Sequence, residues 1–147
     1  MNLKERLMED LKTSMKNKEK LRKDTITLVR AAIKQKEVDE RIELDDNDIL
    51  DILSKQLKEK KNAIEEFKKG NRQDLVEQAN AEIEILLEYL PKQLSEEELS
   101  AIIQKVIEDY NIDSPKKMGE LMKYAMPLVK GKADGKLVSK IAQNLLK

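Results

Sequence analysis

The chain contains no cysteine and no histidine among its 147 residues. Without cysteine there is no disulfide, no thiolate metal site and no cysteine nucleophile. Without histidine there are no zinc sites with the usual nitrogen and sulfur ligands, and the commonest general base at neutral pH is absent. We therefore expect neither a metal nor a cofactor, and most familiar hydrolytic mechanisms lack a required group.

Glycine, proline and long apolar runs are also scarce. The chain has four glycines and three prolines, with 39% charged and 39% hydrophobic residues. This composition is typical of long solvent-exposed helices with enough apolar residues for a core, so we predict an all-α protein. No apolar run approaches the roughly 20 residues that span a bilayer. We expect no contact with a membrane and a cytoplasmic location.

Charges of opposite sign alternate in blocks along the chain, although the net charge is zero. The block charges are +6 for residues 1–36, −7 for 37–54, +4 for 55–72, −4 for 73–93, −5 for 94–113 and +6 for 114–147. In the first 93 residues such sorting predicts that complementary helices pack side by side. The net positive charge of residues 114–147 is harder to neutralise with acidic residues of the same protein.

Apolar periodicity and helix-end signals divide the chain into two predicted domains. Four amphipathic helices are predicted in residues 1–92 and three shorter ones in residues 93–147, with the boundary in LPKQLS at 90–95. The predicted fold is an N-terminal four-helix bundle-like domain followed by a small C-terminal three-helix domain. Leu28 and Met15 are among the residues assigned to buried faces.

Several residues mark the predicted helix ends. Asp45 with Asp48 and Ser95 with Glu98 have the spacing of capping boxes. The remaining signals are Gly70 after the third helix, Pro91 after the fourth, Ser114 as a cap with Pro115 at the first helical position, Pro127 as the end of the sixth helix and Asp134 as the start of the last.

Two short motifs have catalytic or metal-binding alternatives. DDND at 45–48 could suggest calcium, but the spaced acidic loop with its glycine and terminal glutamate is missing. SPKK at 114–117 matches the S-x-x-K pattern of acyl-serine enzymes, but its companion motifs are absent. Helix capping explains both motifs.

The segment KGKADGK at 130–136 is the strongest candidate for a binding site. Only three residues separate its glycines and no Ser or Thr follows its last lysine, so it is not a Walker A loop. As a helix cap, Asp134 would occupy backbone donors, so an anion would be met by lysine side chains instead. The candidate nucleic-acid-binding residues are Lys130, Gly131, Lys132, Gly135, Lys136 and Lys140. An ordinary solvated helix surface would look the same.

Aromatic content bears on which nucleic acid could bind. The four aromatic residues, Phe67, Tyr89, Tyr110 and Tyr124, are spread along the chain. We therefore predict no stacking platform for single-stranded bases, and folded RNA read by its shape and backbone fits better.

The residues also resemble a known family. The matching segments are RAAIKQKEVDERIEL at 30–44, FKKGNRQDL at 67–75, YLPKQLSEEEL at 89–99, MG at 118–119 and MPLVKGKADGKLV at 126–138. Their order and spacing closely resemble the YqeY family over essentially the whole chain. That family is related to the tail domain of GatB, a subunit of glutamine-dependent tRNA amidotransferases.

This resemblance implies an all-helical bundle followed by a domain like the GatB tail, with affinity for tRNA. Residues 131–133 and Val138 match the tail pattern, whereas Asp134, Gly135 and Ser139 stand where the tail commonly has Asn, Pro and Asn. The amidase and kinase-like centres of the amidotransferase belong to other domains and subunits, so catalysis by this chain alone is not implied.

Three functions follow from these observations. The first is a non-catalytic tRNA- or RNA-binding accessory protein. The second is a helical module that binds a protein partner through its charge-sorted bundle. The third is a component of a carbon–nitrogen ligase that uses glutamine as amide donor and acts only with partners.

Overall fold

The computed structural model describes residues 1–147, which form seven α-helices and one short 3-10 turn with no strand. The prediction of an all-α protein is confirmed. The chain divides into two compact units, Met1–Leu90 and Pro91–Lys147. The first unit thus ends at Leu90 instead of the expected residue 92, and the independent folding of the two units stays a prediction. None of the helices combines the length and apolarity of a membrane span.

The first unit contains four helices around one apolar core. They are α1 (Leu3–Lys16), α2 (Lys20–Glu40), α3 (Asp46–Lys69) and α4 (Gln73–Leu87). Side chains from all four helices, among them Leu7, Ile26, Leu53 and Leu86, are fully or almost fully buried in this core. Their burial drives the packing of the four amphipathic helices.

The capping box predicted for α3 is present. The amide of Asp48 donates to Asp45 Oδ1 at 2.9 Å, and the amide of Asp45 donates to Asp48 Oδ2 at 3.1 Å. Two backbone donors at the helix start are thereby satisfied. This geometry confirms the capping interpretation of DDND.

Two details of the first unit differ from the sequence prediction. Helix α4 ends at Leu87 and does not continue to Pro91. The amides of Glu88 and Tyr89 donate to the carbonyls three residues earlier, so the chain leaves the helix through a tighter turn. Leu28 and Met15 were assigned to buried faces but are 54% and 58% exposed. On α2 the buried stripe runs through Ile26, Val29 and Ile33.

Ion pairs in the first unit join blocks of opposite charge, as the charge sorting predicts. Lys4 of α1 pairs with Glu37 of α2. Arg22 Nη1 of α2 lies 2.6 Å from Glu88 Oε2, just after α4. Between α3 and α4, Lys60 Nζ lies 2.7 Å from Glu82 Oε2, with the two side chains only 17% and 15% exposed.

Tyr89 attaches the end of α4 to α1. Its hydroxyl donates to Asp10, and the Arg6 guanidinium lies 4.7 Å from the ring centroid. Arg6 Nη2 also donates to the carbonyl of Glu88 at 2.7 Å. Burial, followed by the hydrogen bond to Asp10, raises the pKa of Tyr89 above its ordinary value. The last residues of the first unit are therefore held against its first helix.

The second unit contains three α-helices and a short 3-10 turn. They are α5 (Glu96–Asp109), the 3-10 turn Pro115–Lys117, α6 (Met118–Val129) and α7 (Gly135–Leu145). Leu99, Ile103, Leu121 and Val138 are completely buried in a second core to which all three α-helices contribute. This arrangement matches the predicted count of three helices.

Proline positions in the second unit differ from two predictions. Pro115 opens the 3-10 turn after Ser114, whose side chain makes no capping hydrogen bond, and α6 begins at Met118. Pro127 was predicted to end this helix but lies inside it, two residues before its end at Val129. Pro127 has no amide to donate to the carbonyl four residues earlier, and the helix ends within two residues of it.

Glu98 completes a capping box at the start of α5. The amide of Ser95 donates to Glu98 Oε1 at 3.2 Å and the amide of Glu98 donates to Ser95 Oγ at 3.1 Å, which confirms the second predicted capping box. The hydrogen bond from the Ser95 backbone holds the pKa of Glu98 below its ordinary value of 4.5.

We expect Glu98→Gln to lower unfolding stability at neutral pH but to have almost no effect in acid. The pKa of Glu98 is lower in the folded state than in the unfolded state. The stabilisation by its ionised carboxylate is therefore fully present above the unfolded-state pKa and is lost as the pH falls through the folded-state pKa. Denaturant unfolding of both proteins at about pH 7 and about pH 3 measures this difference. An equal deficit at the two pH values would contradict a role for the ionised carboxylate.

Candidate functional site

A tight turn joins α6 to α7 and contains the first of the candidate residues. Gly131 is buried and has φ of 76°, a left-handed conformation that glycine adopts at little cost. The amide of Lys132 donates to the carbonyl of Val129 at 2.8 Å and closes the turn. The glycine is therefore required by the backbone geometry, and its role is to shape the turn.

Residues before α5 fix this turn from the other side. Gln93 Nε2 donates to the carbonyl of Gly131 at 2.7 Å and to that of Pro91 at 3.0 Å. The amide of Leu94 donates to the carbonyl of Lys132 at 2.9 Å. The carbonyls of Gly131 and Lys132 are thus both hydrogen-bonded to residues that precede α5. Sequence reasoning missed Gln93, which lies 38 positions from Gly131 and carries no local signal.

Helix α7 begins where the sequence predicts. Asp134 is its N-cap, and Asp134 Oδ1 accepts a hydrogen bond from the amide of Lys136 at 3.0 Å. The carboxylate occupies a backbone donor and places a negative charge at the helix start. The N-terminus of α7 is therefore not open to bind an anion through its backbone amides. An anion would be bound by lysine side chains instead.

The six candidate residues lie together on the turn and the first turns of α7. Lys130 is the exposed C-cap of α6, Lys132 is half-buried in the turn, and Gly135 begins α7. Lys136 and Lys140 are exposed and four positions apart, which places them on one side of the helix about 6 Å apart along its axis. The six residues lie within positions 130–140, so their proximity follows from the sequence, and their role in binding nucleic acid stays a prediction.

Three of these lysines carry charge that the protein itself does not neutralise. Lys132, Lys136 and Lys140 form no ion pair, whereas Lys117 of the same unit pairs with Asp113 at 3.2 Å. Ammonium groups with no internal partner are available to an anion such as a phosphate. No group of three or more carboxylates is arranged to hold a metal ion.

Two of the four aromatic residues contact each other in the structure, although all four are spread along the sequence. The rings of Tyr110 and Tyr124 are stacked, with centroids 3.8 Å apart and planes 4° apart. The residues are separated by 14 positions, with Tyr110 directly after α5 and Tyr124 in α6, so no sequence spacing predicts their contact. The absence of a stacking platform for single-stranded bases stays a prediction.

Comparison with known proteins gives one family and several relatives. The family model described as Yqey-like protein matches residues 4–146. A protein of Lachancea thermotolerans named "Altered inheritance of mitochondria protein 41, mitochondrial" is 39% identical over 112 residues, which are 74% of this chain and 60% of that protein. The protein of the same name in Kluyveromyces lactis is 39% identical over 113 residues, again 74% of this chain and 60% of the relative. The chain thus spans about 60% of the length of these curated relatives.

A third relative covers more of the chain and bears on location. The protein of that name in Pyrenophora tritici-repentis is 30% identical over 145 residues, 96% of this chain and 79% of its own length. All three relatives are named as mitochondrial proteins. The prediction of a cytoplasmic location is therefore wrong. It depended on the lack of a long apolar segment, which does not distinguish one compartment from another.

Proposed function

The chain belongs to the YqeY family, and from this premise we propose that it is a non-catalytic RNA-binding accessory protein. Its second unit, Pro91–Lys147, contacts the phosphates of tRNA or another folded RNA. The contacts are made by Lys130, Lys132, Lys136 and Lys140.

One observation carries this proposal: Lys132, Lys136 and Lys140 have no internal ion pair and lie on a hydrogen-bonded turn and the helix that follows it. The hydrogen bonds from Gln93 and Leu94 hold the turn in place before any ligand arrives. Little conformational entropy is then lost in the backbone when phosphates bind. The resemblance of this segment to the GatB tail favours tRNA over other polyanions.

The distribution of charge in the second unit supports the proposed position of the RNA contacts. Residues 114–147 contain eight lysines and two acidic residues, Glu120 and Asp134. Residues 94–113 carry a net charge of −5 and form mainly α5. The phosphates of an RNA are therefore attracted to the segment that contains α6 and α7 and repelled from α5.

Titration of bulk tRNA at several salt concentrations tests the proposal. With three or four lysine contacts, the logarithm of the association constant should fall with the logarithm of salt concentration at a slope of roughly −2 to −4. A gel-shift titration measures this slope directly. Absence of binding at low salt would reject the proposal.

A second candidate function is a protein-interaction module, which one surface feature favours. Met1, Met8 and Met15 are spaced seven residues apart at the start of the chain, and all three are exposed. Met8 and Met15 lie on one side of α1, and flexible methionine side chains adapt to varied apolar partners. Failure to bind tRNA at low salt would favour this function over the first.

A further inference from the structure

A groove between α1 and α2 combines apolar and positively charged side chains. It has a volume of about 270 Å³ and lies within the first unit. The core residues Leu7 and Ile33 form its floor, and the other lining residues are Lys4, Arg30, Lys34 and Glu37. A cavity of about 150 Å³ is large enough for a benzene ring, so this groove has room for a small organic molecule.

Two of the charged groups in the groove neutralise each other. Lys4 pairs with Glu37, and Lys4 Nζ also lies 3.6 Å from Glu43 Oε1. The amide of Leu44 donates to Glu37 Oε2 at 2.9 Å. These hydrogen bonds, chiefly the one from Lys4, hold the pKa of Glu37 below its ordinary value. Glu37 is therefore ionised at neutral pH, and its charge is already compensated by Lys4.

Arg30 is the cation of the groove that has no partner and is partly shielded from water. Its side chain is half-buried and forms no ion pair and no hydrogen bond, although the carboxylate of Glu37 lines the same groove. Lys34, four positions further along α2, is also without an ion pair and adds positive potential. A guanidinium can donate two parallel hydrogen bonds to one carboxylate, and partial burial strengthens such a contact.

We propose that this groove binds a small monocarboxylate with an apolar body, such as a short fatty acid. Arg30 binds the carboxylate, and the apolar body lies against the floor and the aliphatic stems of the lining side chains. The ionised Glu37 repels a doubly charged phosphate ester more strongly than a singly charged carboxylate. The site belongs to the first unit and does not depend on the RNA contacts proposed for the second.

Titration of the full chain with hexanoate tests the site, with binding measured from the methyl NMR resonances of Leu7 and Ile33. Acetate supplies a carboxylate without the apolar body, hexanol supplies the body without the charge, and inorganic phosphate supplies a different anion. We expect hexanoate to shift both sets of resonances. Its affinity should exceed that of each other probe by about ten-fold or more, because only hexanoate makes both kinds of contact.

Three variants test the role assigned to Arg30. Arg30→Gln removes the guanidinium, whereas Arg30→Lys keeps the charge without the paired donors. Arg41→Gln makes the same change as the first variant at an exposed arginine that lies outside the groove and forms no ion pair. We expect hexanoate binding to weaken about ten-fold in Arg30→Gln and about three-fold in Arg30→Lys, and to stay within about two-fold of the parent chain in Arg41→Gln.

Several results would overturn the inference. They are the absence of hexanoate-dependent shifts at Leu7 and Ile33, equal affinity for hexanol and hexanoate, and tighter binding of phosphate than of hexanoate. Unchanged affinity in Arg30→Gln, or an equal loss in Arg41→Gln, would also overturn it. Circular dichroism shows whether the helices of each variant are intact, and Arg30→Lys supplies the test if Arg30→Gln does not fold. A chain that binds hexanoate but not tRNA would keep this site and lose the proposed RNA-binding function.

Discussion

Replacing Lys132 and Lys136 together with glutamate is expected to abolish tRNA binding. Both side chains lack an internal ion pair and lie on the turn and the first turn of α7. The double variant removes two contacts to phosphate and places two carboxylates there instead, so each lost contact is compounded by repulsion. Any residual binding should show a salt slope smaller in magnitude by about 2. A gel-shift titration with total tRNA at low salt measures the loss.

A matched control separates the position of the charges from their number. Lys12→Glu with Lys34→Glu changes the net charge by the same amount, and both residues are exposed on the first unit and form no ion pair. We expect this variant to bind tRNA almost as the parent chain does. Equal loss in the two double variants would mean that binding responds only to net charge, and would contradict a site on the second unit.

Leu121→Ala is expected to unfold most of the second unit. Leu121 is completely buried in the core formed by α5, α6 and α7. Truncation of a fully buried leucine leaves a cavity and lowers the free energy of unfolding by about 2–5 kcal/mol. The unit Pro91–Lys147 is short, and a core of that size seldom supplies more than about 3–5 kcal/mol. Circular dichroism during denaturant unfolding should show the second unit already unfolded in mild denaturant.

The corresponding change in the first unit provides the control for Leu121→Ala. Leu53 is equally buried, but it belongs to the core of the first unit. We expect Leu53→Ala to lower the first unit's stability while amide hydrogen exchange in α5, α6 and α7 stays slow. If either variant exposed the amides of both units to the same extent, the two units would not unfold independently, and the predicted division into two domains would fail.

Local features of the fold could be predicted from sequence because their partners are close in the chain. The capping pairs Asp45 with Asp48 and Ser95 with Glu98 need only a spacing of three residues and a helical continuation. Asp134 was placed correctly for the same reason. Helix starts of this kind depend on backbone donors that any helix leaves unpaired, so their signals do not require tertiary structure.

Features that depend on contacts between distant residues were not predictable in this way. Gln93 holds the carbonyl of Gly131 across 38 positions, and the Tyr110–Tyr124 stack joins the residue that follows α5 to a residue of α6. The exposed Leu28 shows a related limit. An apolar residue next to a buried stripe is assigned to the core by periodicity, although the neighbouring helices decide how wide that stripe is.

The most direct test of the central claim is protection of lysines from acetylation by bound tRNA, measured residue by residue with mass spectrometry. The chain is treated briefly with an acetylating reagent at low salt, with and without saturating tRNA. We predict protection of Lys130, Lys132, Lys136 and Lys140, with unchanged modification of Lys12 and Lys34 on the first unit. Protection confined to lysines of the first unit, or no difference at the four residues of the second, would contradict the account.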